Sequence, residues 1–110
     1  MKSKTAIPDG DRLLAMLAAL SSAHRLRIVA ALQSGGRNYV SQMARELGLS
    51  RPLLHLHLQK LEDAGLVTSR LELSSDGKAL NYFEVVDFLL ELSPAAIARA
   101  AASLTNTTDS

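Results

Sequence analysis

The sequence predicts a mainly α fold with a small β-hairpin, in the order ααααββα. Three observations predict it. Apolar residues recur at helical spacing over residues 11–64. Capping serines and helix-ending glycines punctuate that stretch. From Val67 onward the period shifts to near-alternation around an Asp-Gly turn. Composition agrees, because 21 leucines and 16 alanines against four aromatics favour helices packed closely through small side chains.

The first helix is expected from Asp11 to Leu20, with Asp9 or Asp11 near its positive N-terminal end. Ser21 or Ser22 caps a second helix, Ala23 to Gln33, in which Leu26, Ile28, Val29 and Leu32 form the apolar stripe. Ser34-Gly35-Gly36 stops it. Asn38-Tyr39-Val40 reads as a short strand, and Ser41 as the cap of a short helix from Gln42 to Leu47, with Met43, Ala44 and Leu47 inward. Gly48 sits where a left-handed residue ends a helix and turns the chain. Ser50 caps the following helix and Pro52 occupies its first turn. That helix runs to Ala64 and ends at Gly65, so two helices joined through Gly48-Leu49-Ser50 form a helix-turn-helix. Val67, Leu71 and Leu73 mark one strand and Leu80 to Val86 a second, with the turn Ser74-Ser75-Asp76-Gly77-Lys78 between them. Ser93 caps and Pro94 opens a last helix to Leu104. This order is a winged helix-turn-helix, a single domain at 9–104 with residues 1–8 and 105–110 as frayed termini.

Net charge is only +1, but its distribution is uneven. Residues 1–60 carry nine basic and three acidic side chains, and residues 61–110 carry three and eight. A basic half beside an acidic half suits a protein with one anionic partner surface. The chain has no cysteine, which excludes disulfides, thiolate metal sites and thiol chemistry. It has no Gly-x-Ser-x-Gly, P-loop or His-Glu-x-x-His motif, so an enzyme is not expected. His55 and His57 point about 200° apart on a helix and cannot chelate one ion, so no metal or other cofactor is expected. No stretch approaches the ~20 apolar residues of a membrane span. The opening MKSKTAIPDGD lacks the apolar segment of a signal peptide. The expectation is a soluble cytoplasmic protein with no membrane partner.

The terminal helices are apolar around much of their circumference. Leu13, Leu14, Met16, Leu17 and Leu20 in the first, with Ile97, Ala100, Ala101 and Leu104 in the last, exceed what one small core needs. Symmetric dimerisation through both helices is the economical reading.

The run ARELGLSRPLLHLHLQKLEDAGLV, residues 44–67, resembles the ArsR-type (arsenic-repressor-like) winged helix-turn-helix regulators of prokaryotes. The likeness begins at LSSAHRLRIVAAL, residues 20–32, and extends over roughly residues 11–104. It implies a homodimeric, DNA-binding transcriptional regulator, usually a repressor, whose first and last helices form the dimer interface. Metal-sensing members carry a Cys-x-Cys on the helix that here reads Gln42-Met43-Ala44-Arg45-Glu46-Leu47, or His and carboxylates on the last helix. Neither is present, so metal sensing is not carried over. The family's frequent Asp-Pro before the second helix is replaced by Ser22-Ala23.

On a helical wheel of residues 51–64, Leu54, Leu58 and Leu61 fall within about 60° and form the core stripe. Opposite lie Pro52, Leu56, Gln59 and Lys60, flanked by Leu53 and His55, while His57 lies nearer the core side. A helix that reads base edges ordinarily shows short polar or amide side chains at 53, 55 and 56. Three readings of the leucines stand: contact with thymine methyls, an apolar patch for a protein partner, or burial under a neighbouring segment. Ser50 and Arg51 at the helix N-terminus suit a phosphate. Arg45 lies on the preceding helix, which crosses the backbone in this motif. Arg70 and Lys78 lie in the wing, and His57 is a core bridge or a phosphate donor. The candidate double-stranded-DNA contacts are thus Arg45, Ser50, Arg51, Pro52, Leu53, His55, Leu56, His57, Lys60, Arg70 and Lys78. A rival of another class remains open: a winged-helix interaction module that holds an unidentified protein at Leu53 and Leu56, with weak or no specific DNA binding.

Overall fold

In the computed structural model, which describes residues 9–105, four of the five helices begin on a short polar side chain that accepts a backbone N–H. Helix α1 (Gly10–Leu20) starts at Asp9, whose Oδ1 accepts from the Arg12 amide at 2.8 Å. Ser22 caps α2 (Ala23–Gly35), Ser50 caps α4 (Arg51–Asp63) and Ser93 caps α5 (Pro94–Ala101) in the same way. Each such cap contributes about 1 kcal/mol.

The exception is α3 (Val40–Leu47), which begins after Tyr39 with no side-chain cap. Ser41, expected to cap it, lies inside its first turn. The reason is the strand before it. Asn38 and Tyr39 form β1 and pair antiparallel with Phe83 and Tyr82 of β3 (Ala79–Val85), so the chain passes straight from sheet to helix. The observed order is therefore ααβααββα, with Val40 helical rather than extended.

Strand β2 (Val67–Leu73) pairs with β3 from Val67↔Val85 to Leu73↔Ala79, giving the sheet order β1-β3-β2. The loop between them closes through Ser74 N to Lys78 O at 2.7 Å, with Gly77 at φ +86°. Helix α2 runs two residues past Gln33, to Gly35, and stops at Gly36 with φ +79°. Helix α5 ends three residues before Leu104. Beyond it the amides of Ser103 and Leu104 bond the carbonyls of Ala100 and Ala101, three residues back, which tightens the end into a narrower turn.

Helix α4 is the centre of the core. Leu54, Leu58 and Leu61 are fully buried with Ile28 and Leu32 of α2, Met43 of α3, and Leu66, Val67 and Phe83 at the sheet. Each large side chain so buried stabilises the fold by roughly 1.5–3 kcal/mol. Helix α1 covers α2 and α4 and also packs on α5. That last contact is very close: a Cβ on Gly10 would stand 2.2 Å from the Ala100 carbonyl oxygen. The Gly10 amide donates to Ser103 Oγ at 2.8 Å. Thr105, assigned to a frayed end by the sequence, donates its amide and hydroxyl to Asp11 Oδ1. The remaining residues read as frayed, 1–8 and 106–110, lie outside the described residues.

Among the described residues no single helix is long and apolar enough to cross a membrane. Leu13, Met16 and Ala100, expected to join two copies, are buried within the single chain. Leu17 and Leu20 are half-buried, Leu20 against the core, whereas Leu14, Ile97, Ala101 and Leu104 are exposed.

Candidate nucleic-acid interface

The turn between α3 and α4 fixes where the outer face of α4 points. Gly48 adopts φ +70°, ψ 32°, the left-handed region that side chains disfavour, and the Leu49 amide bonds back to Ala44 O at 3.0 Å. Half-buried Leu49 packs on the core, and Ser50 Oγ accepts from the Leu53 amide at 3.2 Å. Since Leu54, Leu58 and Leu61 face inward, helical geometry turns Pro52, Leu53, Leu56, Gln59 and Lys60 outward.

Leu53 is 40% and Leu56 62% exposed, so no segment of the described chain covers them. That removes burial as their explanation among the described residues. Val40 at the start of α3, together with Arg51, Pro52, His55 and Leu56, lines an open cleft of about 530 Å³ with almost wholly apolar walls. Arg51 in its lining, Arg45 on α3 and Lys60 further along α4 are exposed, and no hydrogen bond or ion pair engages their side chains among the described residues. The neighbouring carboxylates are occupied. Glu46 accepts from Asn38 and Gln42, and Asp63 accepts from Gln59.

His57 points elsewhere. Its Nδ1 accepts from Arg25 Nη1 at 3.1 Å, while Arg25 Nε donates to the Ala19 carbonyl at 2.6 Å. The His24 ring lies 5.2 Å from that of His57. Burial first, then the charges of Arg25, His24 and Lys60, push the His57 pKa below its ordinary value. His57 thus bridges α4 to α2 through Arg25, which also reaches the end of α1. Among the described residues, no three His, Cys, Asp or Glu side chains come together as a metal site.

Lys60 also borders a second cleft of about 300 Å³, formed with Arg25, Asp63 and alanines of α1. The wing cations are separate again. Arg70 is exposed on β2, 3.8 Å from Glu72, and Lys78 is exposed in the hairpin loop. The structure therefore gathers Arg51, Pro52, His55 and Leu56 around one cleft, keeps Ser50 as the helix cap, and leaves Arg70 and Lys78 on the wing. Arg37, which the sequence reading did not single out, grips Glu72 with both nitrogens at 2.6 and 3.0 Å and lies over the Tyr82 ring at 4.2 Å. The guanidinium holds the Glu72 carboxyl below the usual carboxylate range. No sequence signal announces that clamp, because it spans 35 residues and depends on strand register.

A family model described as a helix-turn-helix domain matches residues 20–70. An uncharacterized HTH-type transcriptional regulator of Methanocaldococcus jannaschii is 40% identical over 70 residues, which span 64% of this chain and 72% of that relative. Among solved structures, the chain is similar to the homodimeric winged helix-turn-helix DNA-binding domain of a possible ArsR-family transcriptional regulator from Mycobacterium bovis. The TM-score is 0.60 at 27% identity, over 68% of this chain and 64% of that one. HlyU from Vibrio cholerae shares the fold, with a TM-score of 0.59 at 23% identity over 84% and 87% of the two chains.

Proposed function

Because this chain belongs to the HTH-type transcriptional regulators, we propose that it is an ArsR-type member that works as a homodimeric repressor, laying one α4 of each copy into successive major grooves of a palindromic operator. The observation that carries this reading is the outer face of α4: unburied, bordered by unengaged cations and held at a fixed angle by the Gly48 turn. Arg51 and the α4 N-terminus engage phosphate or a base edge, and Arg45 engages the backbone. Leu53, His55 and Leu56 meet the bases across the wall formed by Pro52, with Lys60 one turn further along. Arg70 and Lys78 follow the phosphates as a wing. His57 is left out of this surface, since its ring faces α2. Half-sites then lie about 10 bp apart or a multiple of that.

The pairing of copies is assigned to Leu14, Ile97, Ala101 and Leu104, with Leu17 and Leu20 behind them. The exposure of Leu14 (59%) and Ile97 (49%) on the packed α1–α5 layer supports this, as does the homodimeric M. bovis domain. Leu13, Met16 and Ala100 support the layer from inside each copy. DNA binding of this kind places the protein in the cytoplasm with its operator.

The test is a titration of duplexes selected from a random library, with mass in solution recorded alongside. Sequence-dependent binding by a dimer is expected, together with loss of both dimer and tight binding in Leu14→Glu/Ile97→Glu. Binding that is weak and blind to sequence would overturn the reading and turn attention to a protein partner at Leu53 and Leu56.

A further inference from the structure

The outer face of α4 is unusual in what it offers a base pair. Donors and acceptors that tell bases apart by hydrogen bonding are few at its centre, where Leu53 and Leu56 stand exposed and Pro52 and Val40 supply apolar walls. Arg51 and His55 border the same cleft, and the Gln59 amide is directed to Asp63. An apolar surface in a major groove can distinguish only one feature of a base edge: the methyl group at C5 of a pyrimidine.

The charge around the patch identifies its occupant. Arg51 lines the cleft itself, no carboxylate is among the cleft's lining residues, and Lys60, one helical turn beyond Leu56, is exposed with no hydrogen bond or ion pair among the described residues. An apolar centre within a cationic border complements a methyl-bearing edge flanked by phosphates better than it complements an uncharged apolar surface.

We propose that Leu53 and Leu56 make this protein a reader of pyrimidine C5 methyl groups, so that its preferred base at the centre of each half-site is set by the methyl and not by the hydrogen-bonding pattern beneath it. The proposal rests on the DNA-binding reading above and deepens it. Thymine carries that methyl, and so does 5-methylcytosine, at the same position in the groove. Enzymatic methylation of cytosine at C5 thereby becomes an input to this regulator: a half-site that a plain cytosine weakens is restored by the modified base. Removing one buried methyl costs about 0.8 kcal/mol, or roughly a fourfold loss of affinity for each methyl read.

The experiment uses the full chain and a selected operator duplex in which one thymine per half-site is replaced in turn by deoxyuridine, cytosine or 5-methylcytosine. Uridine keeps the hydrogen-bonding groups of thymine and lacks its methyl, whereas 5-methylcytosine keeps the methyl and reverses those groups. At the positions read by α4, thymine and 5-methylcytosine are expected to bind alike and uridine and cytosine roughly fourfold more weakly at each substituted base. Leu53→Ala/Leu56→Ala should then bind all four duplexes alike, and both side chains are exposed enough for the variant to fold. Equal binding of thymine and uridine, both tighter than cytosine and 5-methylcytosine, would show hydrogen-bond readout by Arg51 or His55 and overturn the proposal. Indifference to all four bases at the substituted thymines, with the selected duplex still preferred over random DNA, would overturn it as well. In both cases sequence-specific binding survives, so the DNA-binding reading stands. A failure to select any duplex would defeat that reading and the proposal together.

Discussion

His57 shows how far a single residue is legible. Its position near the core side of α4 follows from helical spacing, but its partner does not, because Arg25 reaches it only through the bend between α1 and α2. Burial and three neighbouring positive charges depress its pKa, so the folded chain takes up that proton less readily than the unfolded one. The contribution of His57 to stability is fully present above about pH 6.5, the unfolded value, and is lost as pH falls through the depressed folded value. Urea unfolding at pH 7.5 and at pH 5 should show this decline, and His57→Gln should flatten it. Glu72, held below the usual carboxylate range by Arg37, loses its contribution only in a lower window, as pH falls below its unfolded value near 4.3, so the two effects separate. Gly10 was not legible at all. Its φ is helical, and only the packed α1–α5 contact shows why a side chain is excluded there. Gly10→Ala is expected to lower stability by about 1–3 kcal/mol, read as a fall in Tm, even though alanine is the better helix former.

At the scale of elements, legibility followed the local signals. Helix α4 has a serine cap, an early proline and a three-leucine stripe, all within 14 residues, and its described bounds lie within one residue of expectation. Helix α3 was displaced because its start is set by β1, whose two residues are strand only through pairing with β3, more than 40 residues away. Helix α5 ends short of the expected Leu104 because the tertiary bonds of Ser103 and Thr105 to α1 take over the chain where alanine propensity alone would continue it past Ala101. The wing hairpin was read from its Asp-Gly turn, yet its attachment to the body was not. Arg37 reinforces that attachment through Glu72 and Tyr82, beside the pairing of β1 with β3 and the burial of Val67 and Phe83. Arg37→Ala should speed amide hydrogen exchange in β2 and β3 and leave the α4 core amides unchanged. An equal rise in both would mean that the clamp supports the whole fold.

For the whole molecule, a net charge of +1 conceals a division of labour. Basic residues of the first sixty include the unengaged Arg45, Arg51 and Lys60, while acidic residues of the second half include the wing carboxylates Glu72 and Glu84. Affinity for duplex DNA should therefore fall steeply with salt, and Arg45→Ala should reduce the slope of log K against log salt by about one per copy if it neutralises one phosphate. An unchanged slope would remove Arg45 from the contact surface. The sequence also pointed to paired copies through the first and last helices, but not to which leucines stay inside one chain, since that depends on how α1 and α5 lie together.

The guanidinium of Arg25 has a mechanical meaning beyond its effect on one histidine. It is a flat, rigid group, and it is fastened at one edge to the last turn of α1 and at another to the middle of α4. The arginine is thus a strut that ties the end of α1 to the middle of α4 from its own place on α2.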